Sequence, residues 1–418
     1  MSMVRRGLAQ GDLNMLIAAH ERFVEGKARG RRLALKFVDL TGMDLCGRVL
    51  DDADFTGSSL EGANLVGAKL ERALLFGCDL RGADLTGACL KRADMRGACL
   101  QGANLSLADL TQADFREGLL AVPHATKGLA EVKHERRLGL ADGARFAGAT
   151  LDAARFDGVS ALKADFTDCS MKGARLNGAN LKDADLSGAI LEGADVGGCN
   201  LAGARLVGAD LSGVVMETAR LDKTDMTGSL RAPGAAAVDR AETLMEMALD
   251  ANAWAESGGT LGQPAVFDGE DLRPLGSRLT GLKLPALSAR GACLVGFNLR
   301  GMFLQGANLE NADLRGADLS GADLRGARMA GAMLNKANLG GAQLGPLPLG
   351  PSRAMPSTLA GARMRYARLV GADLTRACLD RADLSGADLT GAILKDATFA
   401  GACTDRALGL PRTDAIAA

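Results

Sequence analysis

A large apolar residue, usually Leu, recurs every five residues over much of this 418-residue chain, and this period restricts the fold more than any other feature. In one long stretch the recurring residues are Leu60, Leu65, Leu70, Leu75, Leu80, Leu85, Leu90, Met95, Leu100, Leu105, Leu110 and Phe115. A small residue, usually Ala, stands two positions earlier, often followed by Asp or Asn, and Gly often stands two positions later. A period of five fits neither an α-helix nor an alternating strand, so the unit A-(D/N)-L-x-G predicts another regular structure.

A chain that turns a corner after each unit accounts for the pattern. The small residue and the Leu then both point inward, and the Asp or Asn between them points outward. Four units close a coil of about 20 residues, and stacked coils hydrogen-bond like strands with a rise of about 4.8 Å. Gly near each corner accepts backbone angles that other residues resist. The sequence therefore predicts an all-β solenoid.

The repeated unit resembles the pentapeptide-repeat family. The stretches GANLENADLRGADLSGADLRGARM (residues 306–329) and RADLSGADLTGAIL (residues 381–394) match the family pattern almost position for position, and dozens of such triplets in register are specific. The resemblance covers most of the chain. It implies a right-handed quadrilateral β-helix of pentapeptide repeats, and it does not imply a single function.

The phase of the Leu positions divides the repeats into four tracts. The tracts cover residues 40–115, 146–226, 279–344 and 359–399, and the second is shifted by one residue. Bulky residues occupy the small inward position where the first and third tracts begin, for example Val38 and Leu282, whereas the second begins with Ala144. Because a terminal coil packs against a cap, we infer that the first two tracts form one solenoid and the last two another.

The predicted organisation is therefore two tandem solenoid bodies with short α-helical caps. The boundaries are 1–34 for an N-terminal helical cap, 35–230 for the first solenoid with an insertion at 116–143, 231–278 for a linker and helical cap, 279–403 for the second solenoid with a Pro-rich loop at 345–357, and 404–418 for a C-terminal tail. The insertion contains a locally basic stretch, which we interpret as an exposed helix or hairpin.

Each cap is predicted from helical spacing of apolar residues. In the first cap Asp12 is the candidate N-cap, and the apolar residues are Leu13, Leu16, Ile17, His20 and Val24. In the second, Asp239 and Glu242 have the spacing of a capping box. Its predicted apolar face comprises Val238, Ala241, Leu244, Met245, Ala248 and Leu249.

Composition restricts the function classes. The net charge is -1, with 49 basic and 50 acidic residues, which argues against binding nucleic acid and against a strongly acidic DNA mimic. Nine Cys without a C-x-x-C spacing predict reduced thiols in the cytoplasm, as in a bacterial cytosolic protein. We expect no signal peptide, because residues 1–15 contain no continuous apolar h-region, and no membrane span, because no apolar run approaches about 20 residues.

The outward Asp and Asn are the strongest candidates for acid–base catalysis or metal binding. Asp44, Asn64, Asp84 and Asn104 should lie on one ladder, and Asp165 and Asp185 on another. Because these residues belong to the repeat itself, we interpret them as structural. Three His (His20, His124 and His134) lack a ligand spacing with Cys. Cys78, Cys169 and Cys199 replace the inward Ala, whereas Cys89, Cys99, Cys293 and Cys378 replace the outward Asp.

No catalytic, cofactor-binding or metal-binding residue is therefore predicted, and no cofactor. The first hypothesis for function is a non-enzymatic scaffold whose faces and insertions bind a protein partner. The alternative is a DNA-mimicking regulator of a type II topoisomerase, of the quinolone-tolerance type that the family resemblance implies. No group of residues in the sequence supports an enzymatic function. The sequence leaves the partner, the pathway and the oligomeric state open.

Overall fold

The computed structural model describes residues 6–124, 128–350 and 353–410. Two α-helices are present, α1 (Gln10–Val24) and α2 (Ala235–Glu256), together with a 3-10 helix at Arg273–Leu279. The strands are β1 (Arg6–Gly7), β2 (Val38–Asp39), β3 (Gly118–His124), β4 (Gly128–Arg137), β5 (Leu347–Gly350) and β6 (Arg353–Met355). Contacts divide the chain into two compact units, Met1–Ala232 and Pro233–Ala418.

Most of each unit is a β-helical coil held by single-residue parallel bridges. Asp44 pairs with Asn64, Asn64 with Asp84 and Asp84 with Asn104, so each bridge spans four pentapeptides. The backbone bonds run in both directions: the N–H of Asp84 donates to the Ala63 carbonyl at 3.0 Å, and the N–H of Leu85 donates to the Asn104 carbonyl at 2.7 Å.

The interior is filled by the two predicted positions of each unit. Leu85 and Ala88 are both fully buried, and the same holds for most recurring Leu and Ala. Two polar residues that replace the inward Ala each donate to a carbonyl of the preceding coil. Cys78 Sγ lies 2.9 Å from the Phe55 carbonyl oxygen, and Thr224 Oγ1 lies 2.8 Å from that of Leu201. The inside–outside assignment is confirmed.

Both insertions are β-hairpins, and their lengths explain the phase of the repeats. In a regular coil the bridge partner of Cys99 would stand at position 119, but its partner is Leu140, so the first hairpin (β3–β4) adds four pentapeptides and one extra residue. That extra residue shifts the phase of the second tract. Arg328 bridges to Thr358 instead of position 348, so the second hairpin (β5–β6) adds two whole pentapeptides and preserves the phase. The first two tracts stack without a break, as do the last two.

The second unit departs from the predicted boundaries at its start. Val266 already bridges to Ser288, although it lies within the segment predicted as linker and cap, 231–278. The turn between them is two residues longer than a regular coil and contains the 3-10 helix. Phe267 and Leu272 are buried inside this first turn. The longer turn breaks the period of five, and for that reason the Leu pattern alone placed the start too late.

Helix α1 covers the beginning of the first unit and differs from prediction at two points. Its N-cap is Ala9, without a side-chain hydrogen bond, and Asp12 lies inside the first turn. Leu13, Ile17 and His20 are buried, but Leu16 and Val24 are about 40% exposed, so the buried face is narrower than the predicted one. His20 Nδ1 accepts the N–H of Leu33 at 3.1 Å and thereby ties the helix to the first coil.

Helix α2 covers the beginning of the second unit. It begins after Gly234, so the predicted capping box of Asp239 and Glu242 is wrong: both residues lie within the helix. Glu242 instead forms a bidentate ion pair with Arg278, at 2.7 and 2.9 Å. The buried face comprises Ala241, Leu244, Met245, Ala248 and Ala251, whereas Val238 and Leu249 are more than half exposed.

Candidate interaction surface

The outward Asp and Asn form long ladders along each unit. Asp44, Asn64, Asp84 and Asn104 share a ladder, as predicted. The ladder continues past the first hairpin through Arg145, Asp165, Asp185, Arg205 and Asp225. Asp165 and Asp185 therefore lie on the same ladder as Asp44, and the prediction of a separate one is wrong. The inserted hairpin hid this continuity in the sequence.

The outward carboxylates are used by the backbone of their own repeat. Asp84 Oδ1 accepts the N–H of Thr86 at 3.0 Å and its hydroxyl at 2.5 Å. This side-chain-to-backbone bond closes the corner of the coil, as Asp and Asn do in Asx turns. The same pair of bonds recurs at Asp39, Asp54, Asp109, Asp165, Asp225 and Asp383. These contacts agree with the prediction that the outward Asp residues have a structural role.

A second arrangement neutralises other carboxylates within one repeat. Where Arg follows two residues after Asp, its guanidinium forms a fork with both carboxylate oxygens: Arg81 Nε and Nη2 lie 2.8 and 2.7 Å from Asp79. The equivalent Arg–Asp forks are Arg96–Asp94, Arg116–Asp114, Arg273–Asp271, Arg315–Asp313 and Arg325–Asp323. Sequence reasoning missed this fork, although the recurring D-x-R triplet is a visible signal for it.

These contacts keep the carboxylates ionised. Burial raises the pKa of Asp114, but the hydrogen bonds and charge of Arg116 outweigh burial, so the pKa lies below its usual value. The side-chain hydrogen bond from Arg72 lowers the pKa of Asp52. A carboxyl group with a lowered pKa is a poor proton donor near neutral pH. Asp114 and Asp52 are therefore not prepared for acid catalysis.

The first hairpin folds back over glycine corners of the preceding coils. Leu120 is buried and lies where a Cβ on Gly77 would stand, at 2.9 Å, and Arg137 occupies the equivalent place over Gly97, at 2.6 Å. Both glycines have positive φ, so they meet the turn geometry and leave space for the hairpin. Leu119 points away and is 62% exposed.

The second hairpin also packs on corner glycines, in the second unit. Leu347 and Met355 lie 2.7 and 3.0 Å from the position of a Cβ on Gly326, and both approach Gly306 at 3.6 Å. Leu349 remains 54% exposed. Each unit thus presents a hairpin whose base is packed on the coil and whose described side chains include an exposed Leu. The sequence indicated the insertions but not the glycines that receive them.

The family model for pentapeptide repeats matches residues 35–72, 78–117, 144–228, 292–345 and 357–403, in overlapping copies that cover more than half of the chain. The chain belongs to the pentapeptide-repeat family. No curated protein matches it. Among solved structures, it is similar to HetL of the cyanobacterium Nostoc sp. strain PCC 7120, a pentapeptide-repeat protein involved in heterocyst differentiation regulation. The identity is 20% over 95% of each chain, with a TM-score of 0.16.

A second similar structure is full-length QnrB1, described as a plasmid-mediated fluoroquinolone resistance protein. The identity is 16% over 70% of this chain and 93% of that one, with a TM-score of 0.16. These values are too low for either protein's role to be transferred. The function proposed below therefore depends on the residues of this pentapeptide-repeat chain alone.

The His and Cys of this pentapeptide-repeat protein are dispersed. His20 is buried on the inner face of α1, His134 is exposed on β4, and the side chain of His124 lies outside the described residues. Burial raises the pKa of Cys199 to about 12 and that of Cys293 to about 11, so these thiols resist ionisation. Within the described ranges, no three His, Cys, Asp or Glu residues are grouped closely enough to hold a metal ion.

A cavity in the interior of the second unit is small and apolar. A cavity of about 10 Å³ lies inside the first coils of the second unit, and its walls are entirely Leu, Met and Phe, for example Leu279 and Met302. A space of that size is near the lower limit for one water molecule and offers no polar contact. Across the part of the chain that the structure describes, no helix is long and apolar enough to cross a membrane.

Proposed function

We propose that this chain is a non-enzymatic scaffold. In this proposal it forms two right-handed, four-sided solenoid bodies whose outward faces and hairpins bind a protein partner. The observation that carries the proposal is the use of the outward Asp, Asn and Arg in corner bonds and Arg–Asp forks. Groups committed to the repeat in this way hold the surface rigid. Nine free cysteines further support a reducing compartment such as the cytoplasm.

A flat, rigid surface favours docking over catalysis. Active sites are concave and bring several polar groups to one point, usually with a perturbed acid or base among them. Here the outward polar groups are spaced by the coil, about 4.8 Å from one coil to the next, along straight ladders. Solenoids use such extended surfaces to bind other macromolecules.

The two hairpins are the best candidates for the points of contact. Leu119 and Leu349 are exposed apolar side chains on ribbons whose bases are fixed by Leu120 and Leu347. A two-stranded ribbon is marginally stable alone, so packing on the coil is needed to hold it in place. An exposed Leu on a fixed support can bind with little loss of conformational entropy.

The topoisomerase alternative gains no support from the surface charges. A DNA mimic needs a dense uncompensated negative face, because the duplex carries one charge per roughly 1.7 Å of its axis. In each Arg–Asp fork the carboxylate is neutralised two residues away, as Asp79 is by Arg81. The scaffold is therefore the function that we propose.

Two deletions that preserve the coil register test the proposal. The first removes residues 117–137 and replaces Leu138 by Gly, which restores the regular spacing of four pentapeptides between Cys99 and its bridge partner. The second removes residues 347–356 and replaces Pro346 by Gly, because Pro cannot adopt the positive φ of that corner. The tagged chain and both deletions are used to isolate partners from the source cells. Lys69→Ala on an exposed outward position is the matched control.

We expect one protein to bind the full chain in a fixed stoichiometry and to be lost from at least one deletion but not from Lys69→Ala. Thermal melting must first show that both deletions keep a folded coil. Partner binding that survives both deletions would place contact on the outward ladders instead of the hairpins. Catalytic turnover of a small molecule by the purified chain would contradict the scaffold proposal.

A further inference from the structure

The outer face of α1 is unusual for the solvent side of a cap helix. Opposite the buried Leu13 and Ile17, the exposed or half-exposed positions are Gly11, Asp12, Met15, Leu16, Ala18, Ala19, Arg22 and Phe23. Met15 is 66% exposed, Leu16 40% and Phe23 43%. Only two of these eight residues are charged, whereas a solvated helix face normally carries several charges. The face therefore has the composition of a contact surface.

The two charges have opposite signs and stand at opposite ends of the face. Asp12 lies in the first turn of the helix and Arg22 in the last. Within the described residues, neither side chain has a hydrogen-bond or ion-pair partner in this chain. An antiparallel copy of the same helix would place each Asp12 level with the Arg22 of the other copy, so the charges are self-complementary.

The sizes of the side chains are also self-complementary in that register. If the two-fold axis passes level with Ile17, Phe23 lies opposite Gly11 of the second copy, where nothing occupies the space of a Cβ within 4 Å. Met15 lies opposite Ala19, and these two positions are only about 40° apart around the helix, so a large residue meets a small one near the centre of the face. Large-to-small matching of this kind permits close approach of two helices.

We propose that the outer face of α1 pairs antiparallel with the same face of a second copy of this chain. A two-fold interface requires that residue i contacts residue j and that j contacts i, which the charges and the sizes both satisfy. A helix of 15 residues is about 22 Å long, so the contact is smaller than a standard interface and the dimer is of moderate affinity.

Charge reversal distinguishes this pairing from other associations. Asp12→Arg leaves two Arg on each face, and Arg22→Asp leaves two Asp, so each variant repels itself. A mixture of the two variants restores both attractive pairs in a heterodimer. The double variant Asp12→Arg/Arg22→Asp restores them in a homodimer. Because both residues are exposed, these changes leave the buried contacts of α1 intact, and Arg300→Asp on an exposed outward position is the matched control.

Sedimentation velocity of the full chain up to about 200 µM protein, where a micromolar dimer is populated, measures the association. We expect the wild type, the double variant, the mixture and Arg300→Asp to dimerise, and each single reversal to weaken dimerisation by about tenfold or more. A wild type that stays monomeric throughout overturns the proposal. A dimer that is unaffected by either single reversal overturns it as well. Neither result bears on the hairpin deletions, so the scaffold proposal is tested separately.

Discussion

Truncation of Leu85 to Ala tests how far the coil tolerates a hole in its interior. Leu85 is fully buried, and its own backbone and that of Asp84 are hydrogen-bonded to the coils on both sides. These bonds prevent the walls from closing around a smaller side chain, so the cavity term adds to the lost transfer free energy. We expect the upper part of the usual range for buried Leu→Ala, about 3–5 kcal/mol.

The assay is differential scanning calorimetry, with Leu119→Ala as the matched control. For a domain of about 200 residues, each kcal/mol shifts Tm by about 2–4 °C, so Leu85→Ala should lower the Tm of the first unit by about 6–20 °C. Leu119 is 62% exposed, and its truncation should change stability by less than about 0.5 kcal/mol. Equal shifts for the two variants would refute the assignment of Leu85 to the interior of the coil.

Three further outcomes are expected. The hydrogen bond from Arg72 lowers the pKa of Asp52 in the folded chain. This pair therefore stabilises the fold above the ordinary Asp pKa of about 4, and its contribution is lost as the pH falls through the folded pKa. In Arg72→Met, the free energy of unfolding measured in urea should depend less steeply on pH over this range. A thiol reagent at pH 8 should label the exposed Cys46 in the native chain but reach Cys199, whose pKa burial raises to about 12, only after denaturant is added. The purified chain should not inhibit DNA gyrase supercoiling at sub-micromolar concentration, and salt-sensitive inhibition would support the DNA mimic instead.

The coil and its interior were predictable from the sequence because both depend on local period. The recurring Leu residues take equivalent inward positions. A wrong assignment of inward and outward positions would therefore place an apolar side chain in water in every unit, and the repeated Leu pattern argues against it. The small residue Ala144 at the start of the second tract predicted that stacking continues past the insertion, and in the structure Cys99 bridges to Leu140. The Pro-rich loop preserved the phase because its hairpin adds only whole pentapeptides.

The parts that failed depend on contacts between distant residues. Asp12 and Asp239 have the composition of helix caps, but the helices begin earlier, at Gln10 and Ala235. Leu16 belongs to a helical stripe in the sequence, and only the narrow contact between α1 and the first coil leaves it exposed. The start of the second unit at Val266 was missed because its first turn is two residues longer than a regular coil.

The candidate surface was predictable only in outline. The repeat marked outward Asp and Asn as structural, and the bonds at Asp84 agree. The neutralising forks were missed although the D-x-R triplet marks them, as at Asp79 and Arg81, because the repeat pattern was analysed only for its Ala, Asp and Leu positions. The glycines beneath each hairpin are indistinguishable in sequence from other corner glycines, because what covers Gly77 is a residue more than two coils further along the chain, Leu120.

The spacing of the bridges also sets how the chain would respond to a pulling force. Because a backbone bridge reaches only to the neighbouring coil, tension applied at a free end loads one coil at a time. A coil of four pentapeptides extends by about 65 Å when it detaches, so the force trace should be a staircase of nearly equal steps. The coil that carries the first hairpin would give a step about twice as long, and the coil that carries the second a step about half as long again. Each hairpin is thus a landmark in the extension curve from which the order of detachment can be determined.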